Sequence, residues 1–220
     1  MAAISADQAI KTALSSARIK TYETATAAVP QLAGALALYA WNAQVSAAMM
    51  NPLHICEVVV RNAVSDALEA VYGSRWPWND AFLRSLPSPS TGFNAREDLK
   101  KVRRKKASTG KVIPELKFVF WQKMFTGRFD GAIWNSHLRT VLPYANPALN
   151  VQDLRKLIHD DLEQLRLLRN RIAHHEPIFA SNLVNYFQKS QDLISFRCPN
   201  TVAWMIANQS AGTLIAAPPP

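Results

Sequence analysis

The sequence predicts an all-α fold, and three observations carry that expectation. Apolar residues recur at three- and four-residue steps over long stretches, as in Leu154, Leu157, Ile158, Leu162, Leu165, Leu168 and Ile172. That spacing lines one face of a helix. Strand-like alternation is scarce, and the 220 residues include only 7 glycines. Helix-boundary signals punctuate the chain, the clearest being Asn51-Pro52 at a start and Gly73 at the following end. Asn caps free N–H groups, Pro suits the first helical position, and Gly suits the residue just past the last turn.

Taken in order, residues 5 to 28 read as a first helix with Ile10, Leu14, Ala17 and Ile19 toward the core; Ser16, Arg18 and Tyr22 have packing or surface roles. Pro30 marks the break. From Gln31 to Ala48 an Ala-rich helix carries Leu32, Leu36, Tyr39 and Val45, interrupted by Trp41 and Asn42. Trp41 reads as an anchor whose indole N–H finds one partner. A separate helix is expected from Asn51-Pro52 to about Tyr72, on which Glu57 and Arg61 lie four apart as an ion pair. Exposed, such a pair stabilises by only about 0.3–0.5 kcal/mol. Residues 74 to 94 are rich in turn formers, with room for a short helix from Asp80 to Leu86.

The spacing of Phe118, Phe120, Trp121, Phe125 and Phe129 places most of these rings in the core, with base stacking as the alternative. A short helix surrounds Trp134 between Asp130 and Leu142, closed by Pro143 and Pro147, and the long periodic helix follows. Pro177 stops that helix or opens the next. Residues 178 to 196 read as a further helix and Asn200 to Asn208 as the last. One domain, 1–212, is expected, with 213–220 a disordered tail.

Hydrophobic content of 49% and charged content of 19% describe a globular chain. No apolar stretch reaches the ~20 residues that span a bilayer. Met1 to Asp7 lacks a basic start followed by an apolar block, which predicts no secretory signal. Cys56 and Cys198 sit in apolar contexts and read as buried thiols, as in a cytoplasmic protein without disulfides. The net charge of +9 favours a polyanionic partner, nucleic acid rather than a membrane surface. Arg96, Lys100, Lys101, Arg103, Arg104, Lys105, Lys106 and Lys111 concentrate that charge. They read either as a solvated charge run or as a collar that binds RNA phosphates in a salt-sensitive way.

The chemistry-bearing stretch is residues 165 to 179. Arg166, Asn170 and His174 are four apart on the long helix, with Arg169, Arg171 and His175 beside them. Guanidinium groups hold phosphate oxygens through paired donors, imidazole exchanges protons near neutral pH, and an amide can orient either. A solvated Arg-rich face with two capping histidines is the plainer reading. A metal hydrolase would use His174, His175 and His159 with Asp160 or Asp161. Adjacent histidines diverge by about 100° on a helix, however, and neither His-x3-His nor Cys-x2-Cys occurs. No metal and no cofactor are therefore expected.

The run Leu168-Arg-Asn-Arg-Ile-Ala-His-His-Glu-Pro-Ile178 resembles the signature of the Abi-like (abortive-infection) proteins of bacteria, members of the HEPN superfamily. Their hallmark is Arg-x(4–6)-His with a polar residue after the Arg, matched by Arg169, Asn170 and His174. The likeness extends to Leu36–Asn42, Leu53–Ala63, Tyr72–Trp76, Phe118–Trp121 and Trp134, most of residues 10 to 205. Val119 stands where family members commonly have Gly, and Glu176 where some HEPN toxins have a modifiable Tyr. The resemblance implies a HEPN-like helical bundle with additional N- and C-terminal helices. It also implies a homodimer with the paired motifs at its seam, and metal-independent endoribonuclease activity in phage defence or beside a cognate antitoxin or phage-derived trigger. Arg169, Asn170 and His174 would be catalytic, supported by His175 and Arg171. Glu57, Arg61 and Asn62 would form a second polar cluster facing the same helix, the alternative being a structural brace that orients Arg169 or His174. The alternative is a non-catalytic RNA-binding or dimerisation module.

Overall fold

The structure, a computed structural model, describes residues 4–26 and 32–219, so the Pro30 break and the Gln31 helix start lie outside the described residues. Among the described residues the chain forms helices and no strand. None of these helices is long and apolar enough to cross a membrane.

Helix α3 runs unbroken from Leu32 to Tyr72, 41 residues with Pro52 inside it. The expected second start at Asn51-Pro52 does not occur. An interior Pro forfeits one helical hydrogen bond and costs ~3 kcal/mol or more. Here Met49, Pro52, Leu53 and Cys56 are all buried, and that burial offsets the cost. Asn51 is no cap; its Nδ2 donates to the Asn208 carbonyl at 3.4 Å. The first helix, by contrast, divides into α1 (Ala6–Leu14) and α2 (Ser16–Ala25), because Ser15 takes φ 74 and caps α2 with its hydroxyl.

After α3 come a 3₁₀ turn (Trp76–Trp78), α4 (Asp80–Ser85), α5 (Ala95–Arg103) and α6 (Thr109–Val112). Then follow α7 (Phe118–Met124), a π turn (Asp130–Trp134), α8 (Asn135–Val141) and α9 (Val151–Ala173). α10 (Leu183–Arg197), α11 (Pro199–Ala207) and α12 (Ala211–Ala216) complete the chain. Helices α3, α7, α9 and α10 form the centre, with α9 packed on the other three. Phe118, Phe120, Trp121, Phe125 and Phe129 are all buried, as core rings, and Phe125 stacks on Trp134 at 4.6 Å.

Residues 213–216, expected as disordered tail, belong to α12. Leu214 and Ile215 pack on the core, and the Leu214 carbonyl accepts the Trp41 indole N–H at 2.9 Å. That bond is the single partner expected for Trp41. The helix expected from residue 178 begins only at Leu183, capped by Asn182.

Cys56 is buried in α3; burial first, then the Glu57 and Asp161 carboxylates, push its thiol up. Cys198 lies not within a helix but at the α10–α11 junction, half-buried, its thiol lowered chiefly by its hydrogen bond with the Thr201 side chain. A thiol-specific reagent should therefore modify Cys198 quickly and Cys56 only on unfolding. Two fast thiols in the native protein would mean that the α3–α9 seam opens.

Candidate functional site

Helix α9 starts where the Asn150 side chain accepts the Asp153 N–H at 2.8 Å. Leu154, Ile158, Leu162, Leu165, Leu168 and Ile172 are buried along it. Leu157, at the edge of that stripe, is 40% exposed. The helix ends at Ala173, ahead of Pro177. The His175 N–H bonds the Ile172 carbonyl at 3.0 Å, and the Glu176 N–H bonds that of Arg171 at 2.8 Å. This pair of bonds is the Schellman ending, which calls for a left-handed residue between them. His175 occupies that position, at φ 56.

Three side chains hold the turn. From α2, Arg18 Nη1 donates to the His175 carbonyl at 2.7 Å. From α3, the buried Asn42 Oδ1 accepts the N–H groups of Ile178 and Phe179 at 2.8 and 3.0 Å. Arg171 donates to the Pro177 carbonyl and lies 3.5 Å from the Glu176 carboxylate. So fixed, His174, His175 and Glu176 stand exposed. Two recesses flank them. One, of about 420 Å³, is lined by Tyr22, Tyr39, Asn42 and Ile172; the other, of about 350 Å³, by Ser15, Thr21, His174 and Pro177. Arg18, His175 and Glu176 border both.

A left-handed His costs ~1–2 kcal/mol relative to a residue without Cβ. His175→Gly should therefore raise stability by about 1 kcal/mol, roughly 2–4 °C in Tm for a chain of this size. A lower midpoint would mean that the imidazole contributes packing that outweighs the strain.

No family model, curated protein or solved structure matches the chain. The site must therefore be read from its own geometry. Asn170 lies one turn below His174 and accepts its N–H at 2.9 Å. Arg169, five residues before His174, projects about 140° away around the helix. It is half-buried and borders neither recess. Arg166 is engaged elsewhere: its Nε and Nη2 grip Glu163 at 2.9 and 2.7 Å, which holds that carboxyl below its ordinary range. The guanidinium groups at the histidine turn are thus Arg171, whose donors go to the Pro177 carbonyl and the Glu176 carboxylate, and Arg18, which the sequence offered only a surface or packing role.

The other expected partners lie apart from this turn. Glu57 and Arg61 make no ion pair, and Arg61 Nε is buried without a hydrogen-bond partner. Asn62 is exposed. Cys56, next to Glu57, lies close enough to Asp161 to feel its charge, and Asp161 stands ~20 Å up α9 from His174 at 1.5 Å per residue. The metal set is spread in the same way. His159 Nε2 is 2.7 Å from Gln122 and its Nδ1 3.0 Å from Asp160, about four turns from His174. Asp161 pairs with Lys189 of α10.

Nor does the basic stretch form a collar around the histidines. Arg96 donates to the carbonyls of Arg84 and Leu86, and Arg103 to that of Pro77, so both brace the α4–α5 region. Lys100 pairs with Glu97 at 2.8 Å and Lys106 with Glu115 at 2.6 Å. Lys101, Arg104, Lys105 and Lys111 remain exposed. Asn42, which caps the turn after His175, and Tyr72, just before the Pro77 that Arg103 binds, are separated by ~45 Å of helix at 1.5 Å per residue.

Proposed function

We propose that this chain is a metal-independent endoribonuclease, a HEPN-like, Abi-like toxin acting on RNA in the cytoplasm in phage defence or beside an antitoxin. The observation that carries the reading is the exposed His174–His175 pair on a strained turn held by Arg18, Asn42 and Arg171. Strain retained in that way marks a position whose geometry matters beyond stability. A neutral imidazole takes the ribose 2′-OH proton as the 2′-oxygen bonds to phosphorus. The bond to the 5′-oxygen breaks, and a protonated imidazole supplies the proton that this leaving oxygen needs. A guanidinium, Arg169 by the resemblance and Arg18 by proximity, meets the charge building on the phosphate. The need for a 2′-OH separates RNA from DNA.

A second copy would provide the second imidazole as His174 of the partner subunit. Leu157, Gln164, Leu167 and Arg171 on α9 and His174 just past its end are all exposed and follow one another at steps of seven, three, four and three. Leu167 is 49% exposed. Such a stripe is a seam spacing for a facing helix.

The direction of Arg169, turned from His174, favours a second reading: an RNA-binding or dimerisation module without catalysis. Purified protein incubated with labelled RNA in EDTA distinguishes the two. Fragments ending in 2′,3′-cyclic phosphate are expected. Binding without fragments would establish the module, and activity only after adding divalent ions would overturn both.

A further inference from the structure

Far from the histidine turn, a groove of about 530 Å³ runs along α5 and is crossed by the segment leading into α7. Its apolar surface comes from Phe93 and Val102. Into the same wall is set Asp98, whose side chain is only 10% exposed. Asp98 Oδ2 is buried with no hydrogen-bond partner, and the nearest cation, Lys117 Nζ, stands 3.8 Å from Oδ1, beyond hydrogen-bond length. Lys117 also lies 5.9 Å from the Phe93 ring centre, on a flexible and exposed stem. Lys101 and Lys105 line the rim without ion pairs, whereas the rim's Lys106 is already matched by Glu115.

These features select a ligand with three parts. A flat body suits the Phe93 face. An edge carrying N–H donors suits a buried carboxylate, which is acceptor-only and expensive to leave unpaired. A negative charge suits Lys101, Lys105 and Lys117. We infer that the groove between Phe93, Asp98, Lys101 and Lys105 binds one nucleotide of single-stranded RNA, with guanine preferred. Guanine presents N1–H and N2–H side by side, a donor edge turned toward the Asp98 carboxylate. Adenine presents a lone pair at N1, which the carboxylate repels. The backbone phosphate then lies against the lysines. This site holds whether or not the RNA is cut at the histidine turn, so its test reads binding alone.

The experiment uses the full chain and 2′-O-methyl oligonucleotides, which cannot undergo 2′-oxygen attack. Anisotropy of a labelled oligo-U carrying a single G is compared with one carrying a single A, in competition with GMP and with inorganic phosphate. The G oligomer is expected to bind about tenfold tighter than the A oligomer, and Phe93→Ala to weaken it by roughly tenfold, the usual effect of losing one stacked base. Asp98→Asn should erase the G-over-A preference. Lys101→Ala with Lys105→Ala, at exposed positions, should weaken both oligomers alike and flatten the salt dependence. Equal affinity for the two oligomers, or discrimination that survives Asp98→Asn, overturns the proposal. So does displacement by phosphate alone, or GMP binding tighter than any oligomer, which would make the ligand a free nucleotide.

Discussion

His174→Ala is expected to lower RNA cleavage by about 10²–10⁴-fold, the usual contribution of a positioned proton-transfer group. The fold should not change with it. The imidazole is exposed, His174 follows the last residue of α9 with φ negative, and its N–H bond to Asn170 is made by the main chain. A surface substitution of this kind moves stability by no more than ~0.5 kcal/mol. Activity and thermal midpoint should therefore separate: one collapses, the other stays. If both fall together, His174 is a structural residue. If neither falls, the cleavage chemistry lies elsewhere. Arg18→Ala and Arg169→Ala, measured alongside, identify which guanidinium serves the phosphate. The larger loss is expected at Arg18, which borders both recesses.

Asn42→Ala should be the most damaging single change near the site, destabilising the chain by about 2–4 kcal/mol. Its one carbonyl oxygen satisfies two main-chain donors, on Ile178 and Phe179, and Ile178 is buried. Removing it leaves both N–H groups without a partner, at ~1–3 kcal/mol each. For a chain of this length that corresponds to a fall of roughly 5–15 °C in Tm. Asn42→Asp keeps an acceptor oxygen and should recover most of the loss at neutral pH, whereas Asn42→Leu should not. Equal losses for Asp and Leu would show that shape, not the two bonds, makes Asn42 necessary.

The helical class, the α9 stripe and the aromatic core around Trp121 follow from periodicity, because burying an apolar face needs only local spacing. The errors came where tertiary contacts overrode local preference. Pro52 is a good helix start by itself, yet the helices packed along α3 and the burial of Pro52 carry the chain straight through it. The tail residues Leu214 and Ile215 look unremarkable until Trp41 and the core claim them. At the candidate site, the Arg, Asn and His spacing was legible, and so was their placement at a helix end. Arg18 and Asn42 were not, since each reaches its partner more than 130 positions along the chain. Asn42 gave one local sign, a polar residue in a mostly small and apolar stretch, whereas Arg18 lies among other polar residues and gave none. Likewise Arg96 and Arg103 count toward the basic run in sequence, but their guanidinium groups are spent on main-chain carbonyls.

Helix α3 also acts as a ruler. With the histidine turn held at Asn42 and the exposed lysines past Tyr72, an RNA strand that touched both would cover ~45 Å, about 13 stacked nucleotides at 3.4 Å each. Shorter oligomers engage one end at a time. Turnover against a ladder of RNA lengths should accordingly climb in a step rather than a slope, and only substrates above the step should lose efficiency when Lys101 and Lys105 are removed.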